Sequence, residues 1–286
     1  MGIVYRAEHE MLRRPTAIKL LPPGRAGEDS LKRFEREVQQ TARLTNPHTV
    51  SIYDYGRTPD GLFYYVMEYL DGVDLEDLVR ESGPLAPGRA VRILRQACAA
   101  LAEAHGIGLI HRDIKPANIF LCERGGIPDI AKVLDFGLVR EITGSADPRL
   151  TAENVVHGTP QYLAPEAIRN ADSIDARSDL YALGAVGYFL LTGTPVFSGR
   201  GSLEVIHHHL QTPPEPLSKR LGRPIPPKLE AVIMACLAKN PDDRPESARA
   251  LAKALHDCDD VPAWDELDAR RYWQERASRQ KSARTA

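Results

Sequence analysis

Between Ile3 and about Leu70 the apolar positions fall in short runs, IVYRAEH, TAIKLL, TVSIYDYG and LFYYVMEYL, rich in β-branched and aromatic residues and divided by turn signals such as RRP and PDG. Runs of this kind predict strands. One stretch among them, SLKRFEREVQQTARL, has a different period. Leu31, Phe34, Val38 and Thr41 or Ala42 recur at three and four residues, which predicts a helix with Ser30 available as its N-cap. The first part of the chain therefore reads as a small sheet interrupted by one helix.

Beyond Asp71 and Gly72 the helical period dominates. Val91, Leu94, Cys98, Leu101 and His105 share one face and Gly106 follows as a stop signal, which predicts an amphipathic helix of about four turns. Asp179 to Leu191 is apolar on all sides and reads as a buried helix, while Leu229 to Ala238 and Ser247 to Leu255 read as amphipathic. The segment from Arg140 to Pro160 carries no sustained period and is longer than an ordinary connection, as functional loops often are. Near the end, WDELDARRYWQER predicts a short helix followed by a polar, basic stretch expected to fray. The organisation expected is a small lobe over 1–70, a large lobe over 71–256 and a tail over 257–286.

Composition narrows the function without naming it. In 286 residues, 43% hydrophobic, there is enough apolar material for an ordinary core. Basic and acidic residues nearly cancel, 37 against 39, so no basic field points to nucleic acid or to an anionic membrane. Cys98, Cys122, Cys236 and Cys258 stand far apart with no CxxC pair, which argues against a zinc site or a disulfide framework and fits a reducing cytoplasm. The start has charge within six residues and no apolar run of signal-peptide length. The most apolar stretch, Leu180 to Leu191, is shorter than the ~20 residues that span a bilayer. His207, His208 and His209 do not suggest a metal site, since consecutive helical side chains point about 100° apart; they read as partly exposed helix.

The chemistry is concentrated in HRDIKPAN at 111–118, DFG at 135–137, APE at 164–166 and, upstream, TAIK at 16–19. In this order and spacing they resemble the signature set of the protein-kinase superfamily. MEYLDGVDL, HRDIKPANIF and GTPQYLAPE are similar to the eukaryotic-like serine/threonine kinases of bacteria. The resemblance covers about residues 1–256. It implies an α+β, two-lobed fold, with a small antiparallel sheet plus one helix, a larger, mainly helical lobe, a hinge near Glu68 to Gly72, and ATP between the lobes.

Phosphoryl transfer depends on positioning and charge neutralisation more than on covalent chemistry. By resemblance, Asp113 is the catalytic base toward the substrate hydroxyl, and Lys115 brings a cation to the γ-phosphate and favours serine or threonine as acceptor. Asn118 and Asp135 are hard oxygen ligands of the type Mg2+ prefers. Lys19 is expected to hold the α and β phosphates. Its partner is a glutamate on the following helix, where Glu35 and Glu37 flank the apolar stripe about equally and the family spacing favours Glu37. The backbone of Glu68 and Leu70 would meet adenine, with Met67 as gatekeeper, Asp74 near the ribose, and Val4, Ala17 and Phe120 lining the adenine ring.

The resemblance also implies regulation. Arg112 is of the kind that pairs with an activation-loop phosphate, Thr151 is the candidate acceptor for autophosphorylation, and Thr159 is expected to bridge Asp113 and Lys115. Glu166 is expected to pair with Arg244, Asp179 to anchor the catalytic loop from within, and Trp264, Tyr272 and Trp273 to pack on the large lobe.

The chain departs from the family at its start. Gly2-Ile3-Val4-Tyr5 matches only the last part of the GxGxxGxV loop, so poor ATP binding by the chain as given is expected. An upstream start is preferred to decay, because a decayed kinase has no chemical reason to keep Lys19, Asp113, Asn118 and Asp135 together. Three functions are weighed: a serine/threonine kinase acting on proteins in the cytoplasm, a nucleotide-poor pseudokinase scaffold, and a small-molecule kinase of the aminoglycoside type. The last gives no reason for APE or the GTP segment, which serve peptide docking.

Overall fold

The computed structural model describes residues 3–21, 28–59, 61–136, 160–170 and 173–285, with side chains set aside at 28–34 and 280–285. Thr151, Gly158 and Thr159 lie outside the described residues, and with them the expected phosphate acceptor and the bridge to Asp113 and Lys115.

The small lobe is a four-stranded antiparallel sheet in the order β1-β2-β4-β3, formed by β1 (Ile3–His9), β2 (Arg14–Leu21), β3 (Ile52–Arg57) and β4 (Phe63–Glu68). All four strands fall within or beside the predicted runs. β3 starts later than its run because Thr49 and Val50 turn away to pair with Val133 of the large lobe. Helix α1 (Glu28–Thr41) lies between β2 and β3 in sequence. It begins before Ser30, which is thus a helical residue and not the N-cap. Val38 and Thr41 are buried, in line with the predicted stripe. Alternation along β2 and β4 sends Ala17, Leu21, Phe63, Tyr65 and Met67 into a small core with Val38 and Val50.

The large lobe is built on α3 (Pro87–Gly106) and α5 (Ala176–Thr192), preceded by α2 (Leu75–Ser82) and α4 (Pro165–Arg169), and continues through α6 (Ser202–Gln211), α7 (Leu217–Leu221), α8 (Pro227–Cys236) and α9 (Ala248–His256). Leu94, Cys98 and Leu101, on the predicted stripe of α3, are at most 1% exposed, and α5 is buried along nearly its whole length. Burying one such leucine stabilises the fold by roughly 1.5–3 kcal/mol. The helix α3 has 20 residues and exceeds the predicted four turns. Asp175 caps α5 and Ser247 caps α9, each accepting a backbone N–H of the first turn.

Two features depart further from the expectation. A second antiparallel sheet, β5-β6-β7, formed by Gly72–Asp74, Ile119–Arg124 and Ile127–Val133, lies in the helical lobe beneath the hinge. The Gly125-Gly126 turn joins its long strands, with φ of 57° and 79° that suit glycine. The tail forms α10 (Glu266–Thr285), 20 residues long, where a short helix and a frayed end were expected. Its later residues, RASRQKSART, are mostly good helix formers once the first turns are fixed.

Candidate active site

The catalytic segment is fixed from below by a buried carboxylate. Asp179, 1% exposed on α5, accepts the N–H of Arg112 (2.9 Å), the N–H of His111 (2.8 Å) and a hydrogen bond with His105 Nε2 (2.8 Å). This holds Arg112 at a φ of 65°, a region a bulky side chain rarely enters without such support. The expected anchor role of Asp179 is therefore met in geometry. The His111 ring bonds Leu134 O at 2.7 Å and packs on Phe136, centroids 4.6 Å apart, so the strand end carrying Asp135 is tied to the catalytic segment.

On this base Asp113, Lys115 and Asn118 form one cluster. Lys115 Nζ lies 2.7 Å from Asp113 Oδ2, and Asn118 Nδ2 donates to Asp113 Oδ2 at 2.9 Å and to Asp113 O at 2.8 Å. The Asp113 side chain is half exposed while Asn118 is buried, so the carboxylate is presented at the cleft surface by groups that cannot move far. Asn118 turns its amide nitrogen to Asp113, which leaves Oδ1 as the oxygen it can offer a cation.

Across the cleft, Lys19 of β2 is buried, and its Nζ lies 2.5 Å from Asp135 Oδ2. Tyr65 of β4 donates its hydroxyl to Asp135 Oδ1. Burial alone would raise the Asp135 pKa, but the Lys19 charge and the hydrogen bonds from Lys19 and Tyr65 outweigh it and hold the carboxyl below its ordinary value. The same neighbourhood, burial first and then the Asp135 charge, pushes the Tyr65 phenol well up.

The expected ion pair between Lys19 and Glu37 is not formed. Lys19 is given to Asp135, and Glu37 stands 3.9 Å from Arg112. At that distance the contact is coulombic rather than a good hydrogen bond. The pairing among these charges differs from the one expected. Glu35 makes no ion pair with Lys19 either.

The residues expected to face adenine are divided between the two sheets. Ala17 pairs in register with Met67 and Val4 with Lys19, while Asp74 pairs with Phe120 in the lower sheet. Ala17 and Met67 are buried, Val4 is exposed, and Leu70, Asp74 and Phe120 are half-buried. Glu68 N–H donates to Ser51 O at 3.0 Å, so of its two backbone groups only the carbonyl can serve adenine. Asp74 caps α2 through Asp77 N–H at 2.8 Å, and burial raises its pKa.

Several residues escaped the sequence reading. The Glu68 side chain, 3% exposed, accepts Lys132 Nζ and Ser51 N–H at 2.6 and 2.9 Å and pairs with Arg124, which ties the hinge to β6 and β7. Tyr65 reads as an ordinary strand aromatic, and only its place two residues before Met67 on the inward face of β4 could have singled it out. His209, read as partly exposed, is fully buried, bonds Tyr181 at 2.8 Å and has its pKa pushed down to about 4, by burial first and then by the charge of Lys239.

Below the cluster, Glu166 and Arg244 pair at 2.7 Å through both oxygens, as the APE resemblance implied, and Ser178 Oγ also donates to Glu166 at 2.6 Å. A small cavity of about 30 Å³ opens between Arg112, Asp113, Lys115 and the turn at Tyr162 to Ala164.

The model of the protein kinase domain family matches residues 1–255. The chain belongs to the protein kinase domain family. As a kinase domain it is 41% identical over 263 residues to serine/threonine-protein kinase pkn3 of Myxococcus xanthus, covering 91% of this chain and 48% of that protein. It is 43% identical to serine/threonine-protein kinase PknB of Mycolicibacterium smegmatis, covering 89% of this chain and 40% of that protein. The chain thus spans about half or less of the length of these curated relatives. Among solved structures, the kinase domain of Mycobacterium tuberculosis PknI superposes with a TM-score of 0.69 at 30% identity, covering 90% of this chain and 91% of that one. Rad53 1-466 in complex with AMP-PNP superposes at 0.70 with 27% identity, covering 89% of this chain and 60% of that one. The two-lobed α+β fold is shared with the PknI kinase domain.

Proposed function

We propose that this kinase domain transfers the γ-phosphate of ATP to serine or threonine hydroxyls of proteins. The observation that carries the reading is the convergence of Lys19 from the small lobe on Asp135 of the large lobe, whose strand end is bonded to the segment that holds Asp113, Lys115 and Asn118. These are the charges that phosphoryl transfer needs, positive toward the phosphates and a carboxylate toward the acceptor.

Asp113, exposed to the cleft and held by Asn118, accepts the proton of the incoming hydroxyl. Lys115, already beside it, neutralises charge developing on the transferred group. The donor set at Asn118 Oδ1 and Asp135 fits Mg2+. Asp135 is kept ionised with a cation against it, and among the described residues no cluster of three His, Cys, Asp or Glu forms a cage, so an ion here would complete its shell with phosphate oxygens and water. When bound, Mg2+ and ATP supply the transferable phosphoryl group and the charge that offsets its oxygens. With ATP bound, Met67, Ala17, Val4 and Phe120 would exclude water from the adenine ring, the backbone at Glu68 and Leu70 would orient it, Asp74 would serve the ribose, and Lys19 would turn to the phosphates.

The present pairing is a resting one. Kinase activity calls for the lysine–glutamate pair and for a free metal-binding aspartate, whereas here Lys19 occupies Asp135 and Arg112 stands by Glu37. A phosphate on Thr151 would draw Arg112 away and let Glu37 move to Lys19.

We place the domain in the cytoplasm. All four cysteines are free and buried, as a reducing compartment keeps them. The test is phosphoamino-acid analysis after incubation with Mg2+, ATP and a protein acceptor. Phosphoserine and phosphothreonine are expected, and phosphotyrosine alone would contradict the reading of Lys115.

A further inference from the structure

Outside the cleft, Asp129, near the start of β7, is a carboxylate that is 0% exposed and accepts four side-chain hydrogen bonds. Arg89 of α3, itself 1% exposed, grips it with Nε at 2.9 Å and Nη2 at 2.8 Å. Both remaining donors come from the tail. Trp264 Nε1 reaches Asp129 Oδ2 at 2.9 Å and Trp273 Nε1 reaches Oδ1 at 2.7 Å. Between them the Tyr272 ring covers the Arg89 guanidinium at 3.7 Å, and its hydroxyl bonds Ser82 of α2 at 2.6 Å. Further along α10, Arg276 pairs with Glu81 at 2.8 Å.

A buried carboxylate with a bidentate arginine needs its remaining lone pairs satisfied, or the desolvation cost exceeds the attraction. The two indoles satisfy them while burying apolar surface around the guanidinium. The body of the domain is shaped to receive them. A Cβ at Gly88, beside Arg89, would collide with the Pro262 carbonyl, so the tail backbone lies directly on the N-terminus of α3. The family match stops at residue 255, yet this coordination is completed only from beyond it.

We propose that residues 262–276 are a clasp whose receptor is the Asp129–Arg89 pair, and that docking of this clasp holds β7 in place. The coupling path is short. Gln96 of α3 bonds both Asp129 O and Ala131 N–H at 3.0 Å, and β7 leads directly to Leu134 and Asp135. Release of the tail would leave Asp129 and Arg89 short of partners and expose the strand that leads to the cleft. This inference does not depend on the catalytic reading, and its test uses no activity.

Trp264 and Trp273 are the chain's only tryptophans, so intrinsic fluorescence reports the clasp alone. Asp129→Asn risks unfolding the lobe by stranding the Arg89 charge, so the test uses the full chain with Tyr272→Ala and Trp273→Phe combined, which keeps the Asp129–Arg89 pair. Emission from Trp264 should move toward that of water-exposed indole. Tryptic cleavage at Arg270 and Arg271 should accelerate about tenfold or more, as expected when a hydrogen bond to a charged group is lost. Hydrogen exchange over residues 129–133 should rise, while that of β1 to β4 stays the same. Unchanged emission and cleavage would overturn the clasp; faster cleavage with unchanged exchange at 129–133 would overturn its hold on β7.

Discussion

Lys19 reaches across 116 positions of chain to place its ammonium 2.5 Å from the carboxylate of Asp135. The pair closes the cleft electrostatically. The lysine that would meet phosphate and the aspartate that would meet a metal neutralise each other, and Tyr65 completes the carboxylate. A ligand entering here must separate them, so the pair is both a store of correctly placed charge and a barrier to its use.

Lys19→Met should therefore act in two ways. Transfer of phosphate should fall by roughly 100-fold or more in kcat/KM for ATP, the scale of a lost electrostatic contact in the transition state. The Asp135 pKa should also rise, since burial is then opposed only by Tyr65 and His111. Steady-state kinetics and NMR titration of the Asp135 carboxyl check the two effects separately.

Removal of the divalent cation should stop transfer altogether, with Asp135→Asn reproducing the effect. Asn118→Ala should raise the Mg2+ concentration needed for half-maximal rate, because Asn118 also fixes Asp113 through 2.8 and 2.9 Å hydrogen bonds and its loss disturbs both groups. Initial rates across a Mg2+ titration distinguish these variants.

Much of the small lobe was legible from pattern alone. Strands β1, β2 and β4 announce themselves through short runs rich in β-branched and aromatic residues, and Val38 and Thr41 mark the inner face of α1. The second sheet was missed although Gly125-Gly126 between IFLCER and IPDIAKV is a two-residue hairpin signal; the helical texture on both sides masked it. The motif residues of the site could be found by their spacing. The charge pairing could not, since Glu37 can serve Lys19 or Arg112 depending on where α1 sits, and spacing carries no information on that position. Asp129 gave no signal because its donors lie 40 residues upstream and 135 and 144 residues downstream.

The pair of Glu166 and Arg244 gives a dependence on pH with a definite sign. Burial raises the Glu166 pKa, but hydrogen bonds from Arg244 and Ser178 outweigh it, so the folded value lies below the unfolded one. The stabilisation is then fully present above about pH 4.3 and is lost as pH falls from there through the folded value. Glu166→Gln should cost roughly 3–5 kcal/mol at pH 7 by stranding the buried Arg244 charge. The gap to the parent chain in denaturant unfolding should narrow below about pH 4.

Asp179→Asn should separate positioning from binding. An amide offers one oxygen where the carboxylate now serves His111, Arg112 and His105, so the support for Arg112 at positive φ weakens. We expect kcat to fall roughly 10- to 100-fold with KM for ATP little changed, because the loop bearing Asp113 loosens while the adenine site is untouched. An equal rise in KM would contradict that division.

The most direct test of the central claim is incorporation of γ-phosphate from ATP with Mg2+, mapped by mass spectrometry, for the parent chain and for Asp113→Asn. The account predicts phosphate on serine or threonine, Thr151 among them, in the parent and a loss of about 100-fold or more in the variant. Equal incorporation in both, or none in a parent chain supplied with Mg2+ and ATP, would contradict it.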